Sequence, residues 1–171
     1  MAILKLYTYP DKILSTPCSD IKEVTADIRK TLDDMLETMY ADKGVGLAAP
    51  QVGLSLKMIV VDDKVTEDGK AGPHPLKLVN PEIIEKSAET IFFNEGCLSI
   101  PGQCAEVERH AAIKVKYLDE NGKENTLEAT DYLAIILQHE IDHLHGILYI
   151  DHLSRLKRNM IIKKLQKQTQ E

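Results

Sequence analysis

Gln138-His139-Glu140-Ile141-Asp142-His143-Leu144-His145-Gly146 contains the pattern H-E-x-x-H, and the run ahead of it, Tyr132, Leu133, Ile135, Ile136 and Leu137, leaves almost no polar face. On a helix, residues i and i+4 lie on one face about 5–6 Å apart, so His139 and His143 can reach one divalent ion. Glu140 follows its histidine by one residue, a turn of about 100°. That takes its carboxylate off the ligand row and beside the ion's remaining position, where it can accept a proton from water. The same five letters also occur in buried helices whose histidines merely hydrogen-bond. A helix that is apolar all round is buried, however, and two histidines and a glutamate at its end are costly unless paired or bound to an ion. The stretch therefore sets the architecture: a central buried helix, capped at Thr130, around which the other elements pack.

Working outward, 171 residues of which 43% are apolar suffice for one complete core and are short for two, so a single domain over 1–171 is expected. No run approaches eighteen apolar residues, and Met1-Ala2-Ile3-Leu4-Lys5-Leu6 lacks the apolar core of a signal peptide. A cytoplasmic protein with no membrane partner is the expectation. Cys18, Cys97 and Cys104 are odd in number and show no disulfide-framework spacing, which suits a reducing compartment. The net charge of −6 argues only weakly against nucleic acid as a substrate; DNA is not expected as a partner.

The first twenty residues, with Pro10 and Pro17, read as an extended arm carrying no evident chemistry. From Thr25, an N-cap residue, Ile28, Leu32, Met35, Leu36 and Met39 recur at helical spacing until Gly44, which predicts an amphipathic packing helix. Gly44 to Gly53 is rich in small residues and reads as a connecting segment that lets another backbone come close; Gln51 is its one side chain able to donate from a fixed place. Strands are expected at Met58–Val61, Leu76–Ser87 and Glu89–Asn94, with Pro81 marking an edge or bulge. A surface loop with an exposed His74 precedes the second. Ile113, Val115 and Tyr117 alternate with lysines and turn through Asn121-Gly122 into Glu124–Ala129, a hairpin. No strand precedes a crossover helix, so the class is α+β, with antiparallel or mixed sheets packed around the central helix.

A catalytic zinc-type site keeps three protein ligands and one open position, so the helix needs one more ligand. Cys97, in Glu95-Gly96-Cys97-Leu98-Ser99-Ile100-Pro101-Gly102 between a strand and a Pro-Gly turn, is the leading candidate; Cys104 is its neighbour and competitor. A single buried cysteine also serves simply as a small apolar residue.

Together, Gly46-Leu47-Ala48-Ala49-Pro50-Gln51, Glu95-Gly96-Cys97-Leu98-Ser99 and Gln138-His139-Glu140-Ile141-Asp142-His143 resemble the three signature motifs of the peptide deformylases, in order and over essentially the whole chain. The resemblance implies a cytosolic hydrolase that removes the formyl group from the N-terminal formylmethionine of nascent polypeptides, releasing formate. It implies Cys97, His139 and His143 as metal ligands and Glu140 as general acid/base. Gln51 and the Leu98 N–H would hold the developing oxyanion, a contribution of about 2.7–4 kcal/mol per donor. Backbone groups of Val45, Gly46 and Gly96 would pair with the substrate as with an added strand. Phe93, Tyr132, Ile135 and Ile136 would wall a methionine pocket, although such residues serve equally well as plain core. Ligand softness alone points to Zn²⁺. The family implies Fe²⁺ as the physiological ion, with Zn²⁺, Ni²⁺ or Co²⁺ as occupants of a purified sample. Where many relatives carry an arginine, this chain has Cys104.

The alternative is a zinc-dependent peptidase of the HExxH type, which would draw its third ligand from downstream, with His145 and His152 available. A metal-stabilised binding module is disfavoured because a structural site closes with a fourth protein ligand. The tail places Arg155, Lys157, Arg158, Lys163, Lys164 and Lys167 among Leu156, Met160, Ile161 and Leu165, which predicts an amphipathic helix with a basic outer face. The face is either simply solvated or, as the resemblance implies for relatives with such a helix, a dock for the ribosome through residues 155–167.

Overall fold

The computed structural model describes residues 2–66 and 68–170; Met1, Glu67 and Glu171, which fall within the N-terminal, loop and tail readings above, lie outside the described residues. The elements follow in the order α1 (Ala26–Ala41), β1 (Gly46–Ala48), β2 (Met58–Val61), β3 (Leu76–Lys86), β4 (Thr90–Cys97), β5 (Ile100–His110), β6 (Ala112–Leu118), β7 (Glu124–Thr130), α2 (Asp131–Leu144) and α3 (Arg155–Gln170). One sheet runs β1-β2-β3-β6-β7 and the other is the β4-β5 hairpin, with every strand pair antiparallel. The class is α+β. Of the two expected sheet types the antiparallel one is found; the parallel pairing among the described residues is an isolated bridge from Ser19 to Leu56.

β2 shows why four consecutive apolar residues were needed. Successive side chains on a strand point to opposite faces, and here both faces are covered. Ile59 and Val61 join Leu78 and Val115 against Ala134, Leu137 and Ile141 of α2. Met58 and Val60 face the other way, onto Leu32, Met35 and Met39 of α1. A third cluster, built from Leu14, Ile100, Val107, Tyr149, Ile161 and Leu165, joins β5 to α3.

Local signals place α1 well, since the Thr25 hydroxyl accepts the Ile28 N–H at 3.3 Å. Thr130 does stand at the N-cap of α2, but its side chain makes no capping bond. The entry is instead set by the sheet, where the Asp131 N–H donates to the Ala111 carbonyl at 3.0 Å. Pro81 lies in a bulge of an inner strand rather than at an edge: the β3–β6 register slips between Val79 and Glu82. Neighbouring Asn80, at φ +50°, exchanges two hydrogen bonds with the Ile21 backbone. β1 and β5 were not evident from the pattern. The first is three residues long inside a glycine-rich segment. The second begins inside the expected turn: the chain reverses at Leu98-Ser99, and Pro101 and Gly102 belong to β5. Between Gly96↔Cys104 and Cys97↔Ile100 the register jumps, so residues 101–103 bulge outward, with Gly102 at φ +76°.

α3 corrects the tail reading. Ile161 and Leu165 are buried, but Leu156 is 72% and Met160 51% exposed. At 100° per residue the two pairs lie about 140° apart, so only one of them can face the core. Lys157, Lys163, Lys164 and Lys167 flank the outer pair. Arg158 turns toward the body and meets Asp151 at 3.3 Å.

Candidate active site

Three segments meet beneath one cleft of about 720 Å³. α2 brings His139 and His143, β4 ends on Cys97, and the turn after β1 brings Gln51. The ligand atoms of Cys97, His139 and His143 all lie within 4.8 Å of one another, with Cys97 Sγ 3.5 Å from His143 Nε2. Cys104 faces the other way: on β5 the inward positions are Val107 and Arg109, whereas Cys104 is exposed beside Asn94. His145 is exposed, and His152 Nε2 lies 2.8 Å from Asp142 Oδ2, so neither joins the group. A thiolate with two imidazoles suits Zn²⁺, Fe²⁺, Co²⁺ or Ni²⁺.

The helix is held in register by a side chain next to the ligand. Gln138 accepts the His110 N–H at 3.0 Å and donates to the His110 carbonyl at 2.8 Å, bonding α2 to the end of β5 much as a strand would. His139 donates from Nδ1 to Glu95 Oε1 at 2.8 Å, which turns Nε2 toward Cys97. Glu95 in turn receives Nε and Nη2 of Arg109 at 2.8 Å each, and Arg109 Nη1 reaches Asp142 at 2.6 Å. Arg109 is only 5% exposed, so a buried guanidinium and two carboxylates lock the ligand ring from behind. Burial opposes ionisation of Glu95, but Arg109 and His139 outweigh it and hold the carboxyl below its usual range. Glu95, Arg109 and Gln138 had no role assigned from sequence. The available signal was alternation: Glu95 shares a strand face with Cys97, and Arg109 shares one with Val107.

Glu140 presents a buried carboxylate whose Oε1 has no hydrogen-bond partner among the described residues and lies 3.9 Å from His143 Nε2. An orphaned buried acceptor costs about 1–3 kcal/mol, which a bound water or ion would relieve. Burial pushes the Glu140 carboxyl up to about 7. Burial likewise drives His143 well below its ordinary range. For His139 burial acts downward, but Glu140, Cys97 and Glu95 prevail and raise its proton affinity well above normal. A group of donors that draws a proton onto a buried imidazole is also a place that favours a cation. Gly46 has to be glycine here: a Cβ would stand 2.5 Å from Glu140 Oε2.

The remaining candidates line the same cleft. Val45, Gly46, Gly96 and Leu98 are all among its lining residues. β1 ends its sheet and, among the described residues, β4 pairs with β5 alone, so each has an edge with no strand on it. Phe93 and Tyr132, rings 5.3 Å apart, stand at the mouth, with Ile135 and Ile136 deeper. Ile136 also belongs to the core cluster around α2, so it serves both roles.

A half-buried cysteine and two buried histidines beside a buried carboxylate, open to a cleft with two strand edges, is an arrangement of the kind that metal-dependent hydrolases use. The sequence profile described as Polypeptide deformylase matches residues 3–159. The peptide deformylase of Rhizobium meliloti is 48% identical over 167 residues, covering 98% of this chain and 94% of the relative. Peptide deformylase 1 of Rickettsia conorii is 50% identical over 170 residues, 98% and 97% respectively. The crystal structure of peptide deformylase from Ehrlichia chaffeensis superposes with a TM-score of 0.91 at 41% identity, covering 99% of this chain and 98% of that one; the same protein in complex with actinonin gives 0.90 at 42%, 98% of each. The chain belongs to the polypeptide deformylase family and is an enzyme. Among the described residues no helix is long and apolar enough to cross a membrane.

Proposed function

We propose that residues 1–171 act as one catalytic domain that hydrolyses the formyl amide of N-formylmethionyl nascent peptides in the cytoplasm, releasing formate. The observation that carries this reading is the convergence of Cys97, His139 and His143 within 4.8 Å beside the free carboxylate oxygen of Glu140. Those three residues would hold one divalent ion, Fe²⁺ physiologically, with Zn²⁺, Ni²⁺ or Co²⁺ able to replace it. Such an ion acts as a Lewis acid on a carbonyl and makes water a stronger acid.

The chain's own residues do the rest. Glu140 accepts a proton from the attacking water and returns it to the leaving amine nitrogen, the two halves of one general acid/base cycle. Gln51 Nε2 and the Leu98 N–H donate to the carbonyl oxygen as it gains charge. The backbones of Val45, Gly46 and Gly96 seat the peptide as a strand between the two free edges, so recognition reads little side-chain sequence beyond the methionine. That side chain lies against Phe93, Tyr132, Ile135 and Ile136. The peptidase alternative loses its ligand, because His145 and His152 stand away from the group. The face of α3 formed by Lys157, Lys163, Lys164 and Lys167 would hold the enzyme to the ribosome, where its substrate emerges. The deciding experiment assays formate release from formyl-Met-Ala-Ser beside cleavage of an internal peptide bond. Formate without internal cleavage is expected; the reverse overturns the reading.

A further inference from the structure

The N-terminal arm and the β4–β5 turn converge on Gln51 through bonds that none of the roles above uses. The Gln51 amide is held at both ends. Its Oε1 accepts the Ala48 N–H at 2.9 Å, which identifies the other end as nitrogen. Nε2 lies 3.1 Å from Ser99 Oγ and 3.5 Å from Cys97 Sγ. Ser99 is fully buried, and its hydroxyl lies 2.7 Å from the Tyr7 carbonyl oxygen.

A hydroxyl carries one proton, and a carbonyl can only accept. The Ser99 proton therefore goes to Tyr7, and Ser99 can meet Gln51 only as an acceptor. One amide proton is consumed there, which leaves the second on the side of Cys97 Sγ, 3.5 Å from Nε2, where both residues line the cleft. The arm cannot drift from this arrangement, because the Tyr7 N–H donates to the Gln51 carbonyl at 2.8 Å and the Tyr9 N–H to the Ser99 carbonyl at 2.9 Å. Backbone and side chain of Gln51 are thus joined in one closed ring of hydrogen bonds with Tyr7 and Ser99.

We propose that Ser99 is a positioning residue: together with the Tyr7 carbonyl it fixes the rotation of the Gln51 amide so that one N–H faces the reacting carbonyl oxygen. This makes the arm part of the catalytic assembly, although Ser99 itself does not line the cleft. The inference rests on the deformylase reading, and a cycle of variants in the nickel-loaded protein separates the two. Ser99→Ala should lower kcat for formate release about tenfold or more, below the loss expected for removing an oxyanion donor outright, with KM and nickel content within about twofold. In a Gln51→Ala background the same change should cost less than about twofold, because Ser99 acts only through that amide. The side-chain ¹⁵N–¹H pair of Gln51, identified by its absence in Gln51→Ala, should be protected from solvent exchange in the parent and lose that protection in Ser99→Ala.

Equal kcat losses in both backgrounds, or a Ser99→Ala enzyme above half the parental kcat, overturn the proposal. Should Ser99→Ala not fold, Ser99→Cys, which fills the site with a feeble acceptor, must show the same kcat loss, and parental kcat there overturns it as well. If the parent protein releases no formate, the deformylase reading has failed, and the exchange measurement alone then decides whether Ser99 orients the amide.

Discussion

α2 and α3 differ little in length, 14 and 16 residues, and both carry charged side chains, yet those charges have opposite fates. On α2 the charged and ligating groups, His139, Glu140, Asp142 and His143, are buried or nearly so. His139 and Asp142 are hydrogen-bonded to Glu95 and Arg109, while His143 and Glu140 lie only within ion-pairing reach of each other, at 3.9 Å. On α3, Lys157, Lys163, Lys164 and Lys167 are exposed. Burial turns a charge into an obligation, since a desolvated ion must find a fixed partner or be lost. Exposure leaves it uncommitted, worth little to the fold and available to an outside partner. Glu140 and His143 depart from this rule: both are buried on α2, yet Glu140 Oε1 and His143 Nδ1 have no hydrogen-bond partner among the described residues.

Glu140 accordingly offers the sharpest test. Glu140→Ala should lower kcat by about 10²–10⁴-fold while metal content and thermal stability hold, because only proton transfer and an orphaned acceptor are removed. A variant keeping more than a tenth of the parental rate would remove Glu140 from its role. Next comes Arg109→Ala, which leaves Glu95 and Asp142 buried without their cation and should destabilise by about 3–5 kcal/mol in urea unfolding. Lys164→Ala on α3 should stay within about 0.5 kcal/mol. Equal losses from the two would erase the contrast between the helices.

Metal removal should have an intermediate effect. With ion at about 100 times its dissociation constant, a chelator should cost about 2.7 kcal/mol of stability, read as a fall in Tm. Cys97→Ser, which replaces a thiolate by a poorer ligand, should shrink that difference; an unchanged chelator response would take Cys97 out of the site. The smallest effect on the fold is expected from turning Lys157, Lys163, Lys164 and Lys167 to glutamate. Stability and hydrolysis of a short formylated peptide should barely move, while co-sedimentation with ribosomes at low salt should disappear. Arg158 is left intact in that variant because its partner is Asp151. Unchanged sedimentation would make α3 a solvated helix and nothing more.

What could be read in the chain was whatever repeats within one element. The 3.6-residue recurrence from Ile28 to Met39, the apolar run from Tyr132 to Leu137, the alternation from Ile113 to Tyr117 and the i, i+4 histidines each carry their meaning within a few residues. They determined α1, α2, the β6–β7 hairpin and the expectation of a metal on one helix face. Tertiary structure alone decided the strands β1 and β5, the face on which α3 packs, and every buried polar pairing: Gln138 with His110 across 28 residues, Glu95 with His139 across 44, Ser99 with Tyr7 across 92. The reason is physical. A serine or an arginine looks the same in a sequence whether water or a buried carbonyl will be its partner, and only closure of the chain determines which groups are desolvated together and must satisfy one another.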